Sequence, residues 1–364
     1  MNRKVLFGSA IALTLASAGV FFNVDRTASY EARVEKQEFA PRAKDWEDDM
    51  KRNAKTGLVD EAALAHGRVQ MKERAAKRGV ADMSFQFLGP NNIGGRTRAI
   101  MVDFNNNQRI YAGGTSGGLF ISDNGGNEWT TQWDFEDNLY IGSIGQTGNG
   151  DVFVGTGHSF DDDNGTGIYK SSDDGQTWSV LESTQSSDFS ACNWMIAHPN
   201  DDRTLFVCTN AGVMLTEDGG STWTKVVYDP SGTVPITGMR NAAWSGDEKV
   251  LYVASGSGVY YSSTPTDPFS FTKANGVPGA QRIQVGTTDA NPNVAYVATA
   301  SGSNTFGTVF KTANKGEDWN PIDPAPPRSN PGFRELGGQF FHNFLFGVRQ
   351  DVEDVFFVGG VDIW

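Results

Sequence analysis

The chain has 364 residues, two cysteines and a formal net charge of −13. Residues 85–364 hold 15 basic and 31 acidic residues, a net of −16, which excludes a nucleic-acid footprint as the default reading. Two cysteines are too few for a disulfide-rich scaffold, so the fold has to rest on an apolar core.

Residues 1–18 read as a secretory signal. Arg3 and Lys4 form its basic start, Val5–Leu15 its apolar run, and Ala16, Ser17 and Ala18 its small-residue cleavage site. The apolar run extends through Phe22, about the length that spans a bilayer if uncleaved, but Gly8, Ser9, Ser17 and Gly19 dilute it. Cleavage and a secreted or cell-surface location are therefore expected. Residues 19–84 are rich in both charge signs and in helix formers such as EAALAHGRVQMKERAAKR. They read as a polar helical or partly disordered leader.

From residue 85 one hairpin repeats: SDNGGNEW (122–129), SSDDGQTW (171–178), TEDGGSTW (216–223), SSTPTDPF (262–269) and TANKGEDW (312–319). Their first residues lie 49, 45, 46 and 50 positions apart, an interval typical of propeller blades. A short alternating strand precedes each hairpin, an aromatic residue opens the strand after it, and two further strand-like runs lie upstream, as in TLFVCT, VLYVAS and VAYVAT. Four strands per repeat predict an all-β propeller of four-stranded antiparallel blades over 85–364. VFFVGGVDIW (355–364) matches the strand that comes before each hairpin, so about five and a half blades are expected. An open blade leaves sheet edges unpaired, which suggests a C-terminally incomplete propeller, or a six-blade ring closed by SFQFLGP (84–90).

The hairpin pattern Ser/Thr-x-Asp-x-Gly-x-Thr-Trp resembles the Asp-box of sialidases, xyloglucanases and sortilin-type propellers. Asp173 with Trp178 and Asp218 with Trp223 match it fully, whereas Asn124 with Trp129 and Asn314 with Trp319 carry Asn at the Asp position. These residues suit turn chemistry: the side-chain oxygen accepts backbone N–H groups, and the Trp packs between blades. Together with FLGPNNIGGRTRAI (87–100) and GGQFFHNFLFGVRQDVEDVFFVGGVDIW (337–364), the hairpins resemble secreted bacterial sortilin-like propellers. That resemblance implies export by type IX secretion with a sorting tail, and implies fold more firmly than function.

Candidate site residues lie at the end opposite the hairpins, where blade connections converge. Arg98, Arg240, Arg282 and Arg334 fall at or just before first strands and suit an anionic group; Tyr140, His158, Phe340 and His342 suit stacking or hydrogen bonding. His66 and His198 show no metal spacing. Asp161, Asp162 and Asp163 offer oxygen ligands to Ca²⁺ but lack the closing Glu of an EF-hand, so no cofactor is required. Xyloglucanases carry a catalytic carboxylate where this chain has Thr115, and the sialidase opening motif is absent. No catalytic residue is assigned. The expected function is non-catalytic binding of a protein or glycan, possible anionic character included, with a glycoside hydrolase as the alternative. Cys192 and Cys208 sit on neighbouring strands almost in register, which leaves a disulfide open.

Overall fold

The computed structural model divides into two compact units, Met1–Met83 and Ser84–Trp364. It describes residues 95–359 except 132, 134–137, 160–163, 228–235, 267–269, 301–305 and 323–343, and a few isolated positions before 95. The signal segment, nearly all of the leader and the 84–90 strand lie outside the described residues.

Five antiparallel four-stranded sheets follow one another, as the repeat predicts. The first contains β1 (Thr97–Val102), β2 (Ile110–Gly114), β3 (Leu119–Ser122) and β4 (Thr130–Thr131); the second β5 (Ile141–Gln146), β6 (Val152–Thr156), β7 (Ile168–Ser171) and β8 (Ser179–Val180). The third contains β9 (Cys192–Ala197), β10 (Leu205–Thr209), β11 (Gly212–Thr216) and β12 (Thr224–Lys225); the fourth β13 (Met239–Trp244), β14 (Leu251–Ser255), β15 (Gly258–Thr264) and β16 (Ser270–Lys273). The fifth contains β17 (Arg282–Thr287), β18 (Ala295–Ala300), β19 (Phe306–Thr312) and β20 (Asn320–Ile322). A sixth sheet has two described strands, β21 (Leu345–Val348) and β22 (Phe356–Gly359). First strands touch in succession, β1 to β5, β9, β13, β17 and β21, so they line the axis of a β-propeller.

Four hairpins share one hydrogen-bond plan. In 171–178, Gly175 N donates to Ser171 Oγ (2.9 Å), Thr177 N to Asp173 Oδ1 (2.9 Å), and Trp178 Nε1 to Gly175 O (3.0 Å). Hairpins 122–129, 216–223 and 312–319 repeat these bonds. The residue four positions after the Asp or Asn compensates for the exchange. Where Asp173 and Asp218 stand, the Thr177 and Thr222 hydroxyls donate to the carboxylates (2.6 and 2.7 Å). Where Asn124 and Asn314 stand, their amides instead donate to Glu128 and Asp318 (3.3 Å each). Each pair keeps one carboxylate and one donor.

The core lies between blades rather than within them, because each sheet buries both faces. Trp319 meets Tyr252 of the preceding blade edge-on at 6.0 Å. The fourth hairpin has no Trp. Trp244, from the end of β13, meets Phe206 edge-on at 5.9 Å and donates Nε1 to Ala197 O (2.8 Å). Polar staples reinforce the seams: Arg109 to Asp174 (3.1 Å), Lys315 to Asp247 (2.7 Å), and Lys311 to Glu353 and Asp354 (2.7 Å each).

Cys192 and Cys208 are both free and buried. Trp194 stands opposite Cys208, and the bulge at Asn193 sets Cys192 opposite Thr209, the next residue along β10. Cys192 therefore packs with Phe153 and Met195 toward the second blade, while Cys208 packs with Val213 and Val253 toward the fourth. The two cysteines are nearly in register, as expected, but the one-residue offset turns their side chains to opposite faces of the sheet, and no disulfide joins them. Burial pushes the Cys192 thiol up to about 12 and the Cys208 thiol further still.

Candidate functional site

Every first strand begins at the same end of the propeller, the end where second strands finish and away from the repeated hairpins. That end is the mouth. Four first strands carry a bulge there, at Arg98, Gly142, Asn193 and Arg240. A bulged residue has no cross-strand partner, so its side chain can be aimed away from the sheet. Arg98 and Arg240 thus hold equivalent places in the first and fourth blades. Gly142 is required in its place: a Cβ would lie 2.2 Å from Gly157 O and 2.3 Å from Cys192 O.

Around Arg240 three blades are tied together. Its Nη1 donates to Asn210 Oδ1 (3.4 Å). Asn193, buried, donates Nδ2 to Met239 O (2.8 Å) and accepts Ser159 N (3.1 Å). The Ser159 hydroxyl lies between two acceptors, Asn193 Oδ1 (2.6 Å) and Asn210 Oδ1, and its single proton satisfies one at a time. Burial alone lowers the Arg240 pKa, so a counter-anion here would meet a partly desolvated cation.

The other expected residues separate into three groups. Tyr140 is half-buried beside Asn138, whose Oδ1 accepts Tyr140 N (2.8 Å) and whose Nδ2 donates to Asn164 O (2.9 Å). His158 and Arg282 are buried, and Arg282 lies over the Phe344 ring at 6.0 Å, so neither presents itself to a ligand as openly as Arg98 or Ser159. Arg334, Phe340, His342 and the Asp161, Asp162, Asp163 loop lie outside the described residues. Among the described residues no group of three or more His, Cys, Asp or Glu is placed to hold a metal.

Thr115 is buried and accepts Arg96 Nε at 3.1 Å. The position thus carries a neutral hydroxyl already engaged by a guanidinium, not a base.

Sequence spacing placed Arg98 and Arg240 at the mouth, where the structure has them, and did not single out Ser159, Asn193, Asn210 or Trp194 beside them. Trp194 is 40% exposed on β9, an axis-lining strand. No local pattern marks these residues: Asn193, Trp194 and Asn210 come from distant stretches of the third blade, and Ser159 joins them only when the second blade packs on it.

No protein-family model matches the chain, and no curated protein matches its sequence. Among solved structures it is similar to an ancestral GH74 enzyme (18% identity, TM-score 0.59), covering 77% of this chain and 37% of that one. It is also similar to the extracellular domain of a one-component system from B. thetaiotaomicron (10% identity, TM-score 0.51), covering 77% and 33%. A GH74 enzyme from Niastella koreensis aligns at 23% identity and TM-score 0.49 over 62% and 38%. The chain therefore spans about a third of the length of these proteins. The first two likenesses, at such identities, support the propeller fold and nothing beyond it.

Proposed function

We propose that this is a secreted, non-catalytic propeller that binds a glycan or protein ligand at the mouth, with arginines receiving an anionic group. The observation that carries the reading is the equivalent placement of Arg98 and Arg240 at the first-strand bulges, with Arg240 oriented by Asn210. Guanidinium forks match carboxylate geometry, and a local cationic site in an acidic domain favours an anion there above elsewhere. The hairpin carboxylates have a different task, since backbone amides and hydroxyls of their own turns occupy them.

Glycoside hydrolysis is the alternative. It needs two carboxylates flanking the scissile bond. Thr115 and its bond to Arg96 weigh against that reading.

A glycan array on the protein, followed by titration of the best hit, tests the proposal. Arg98→Glu with Arg240→Glu should weaken binding and make the remaining affinity less sensitive to salt. Unchanged binding in that variant, with loss in a folded Trp178→Ala variant, would move the site to the hairpin end.

A further inference from the structure

The described tryptophans show one exception to a common rule. Trp129, Trp178, Trp223, Trp244 and Trp319 each donate Nε1 to a backbone carbonyl. Trp133 is buried in a core cluster. Trp194 does neither: its side chain joins no core cluster and, among the described residues, makes no hydrogen bond or ring contact. Yet it stands on the strand nearest the axis with 40% of its surface exposed.

Polar residues stand one or two positions from it along β9 and the facing strand. Strand alternation puts Trp194 on the side of β9 that carries Ile196, which packs toward the fourth blade. Arg240 of that blade reaches back to Asn210, two residues beyond the Cys208 that faces Trp194 across the ladder. Asn193, next in sequence, is fixed by Ser159 and Met239. Asn210 is exposed, and with its Oδ1 engaged its Nδ2 remains available to donate.

We propose that Trp194 is the stacking platform for a pyranose ring of a carbohydrate, with Asn210 and Arg240 as its polar rim. A pyranose has an apolar C–H face and a rim of hydroxyls that both donate and accept. The indole offers a flat apolar face at low conformational cost, and the amide and guanidinium groups fix the ring's orientation. A carboxylate on the sugar would add a charge-assisted bond to Arg240. An aromatic peptide side chain would use the indole but leave the rim idle.

The inference rests on the reading that the mouth is the binding face, and its test separates the two. Hexagalacturonate and its neutral counterpart cellohexaose are titrated into the full chain by calorimetry and by tryptophan fluorescence. At least one should bind, with hexagalacturonate the tighter. Trp194→Ala should weaken binding about tenfold or more and remove the fluorescence change, while Trp194→Phe retains part of the affinity. The thermal midpoint should hold in both variants, since the side chain lies outside the core. Unchanged binding in Trp194→Ala, with loss in Arg240→Ala, overturns the stacking role but leaves the mouth as the site. Failure of both sugars to bind the wild type, or binding only of a peptide ligand, overturns the carbohydrate assignment, and the charge-reversal experiment then judges the mouth reading alone.

Discussion

The fourth blade and its neighbours solve the same packing problem with different residues. In the fifth blade the hairpin Trp319 covers Tyr252 of the blade before it. In the fourth, SSTPTDPF has no tryptophan, and Trp244 from the first strand meets Phe206 at nearly the same distance and tilt. The requirement belongs to the seam: a large ring must fill the space over the preceding second strand. Which strand supplies the ring is free.

The largest test of that view compares two tryptophans. Trp244→Ala should lower the unfolding free energy by about 3 kcal/mol, since it empties a seam and strands Ala197 O. Trp129→Ala should cost about 1 kcal/mol, because that ring is 41% exposed and joins no core cluster. Urea unfolding measures both, and equal losses would break the seam argument.

A second test concerns the hairpins themselves. Asn314→Asp sets a second carboxylate against Asp318 and should destabilise by about 1–2 kcal/mol at neutral pH. Adding Asp318→Thr should restore most of it by recreating the pairing seen at Asp218 and Thr222. Additive losses in the double variant would show that the pairs are independent.

The smallest effect is a pH slope. The Thr177 hydroxyl and amide, then the Ser171 hydroxyl, hold Asp173 down to about 2. Burial tends to raise Asp247, but bonds from Lys315 and Ser245 outweigh it and hold it also at about 2. Depressed carboxyl pKa values stabilise the fold above the unfolded value of about 3.9, and that stability disappears as pH falls toward about 2. Acid unfolding should therefore steepen over this window, and Asp247→Asn should flatten it. An unaltered slope in that variant would show that the fourth-to-fifth seam does not depend on the ion pair.

Much of the fold was legible because its signals are local. Each hairpin places Ser or Thr, Asp or Asn, Gly and Trp within eight residues, and the interval between hairpins counts the blades. The Asn–acid and Asp–Thr exchange was also present in the sequence, at 124 and 128 against 173 and 177, but only the bonds explain it. The rest depends on register and distant contact. The bulge in β9 separates Cys192 from Cys208 without requiring any particular residue type, so no motif announces it. Ser159, Asn193 and Asn210 come from two blades and meet only when those blades pack. The placement of Arg98 and Arg240 at the mouth was readable because the repeat fixes where first strands begin.

The bulges at the mouth have a consequence for how such a protein can change over time. Arg98, Gly142, Asn193 and Arg240 occupy one repeated slot, yet only some of these slots are open to variation. Two carbonyls close the second blade's slot to every residue larger than glycine. The third is tied to its neighbours through Asn193. The first and fourth carry arginines held by side-chain contacts, such as Arg240 to Asn210, and their exchange would leave the ladder bonds intact. On the proposed reading of the mouth, drift at these two positions would retune the ligand with every ladder bond kept, and a library randomised at Arg98 and Arg240 would sample that history in one experiment.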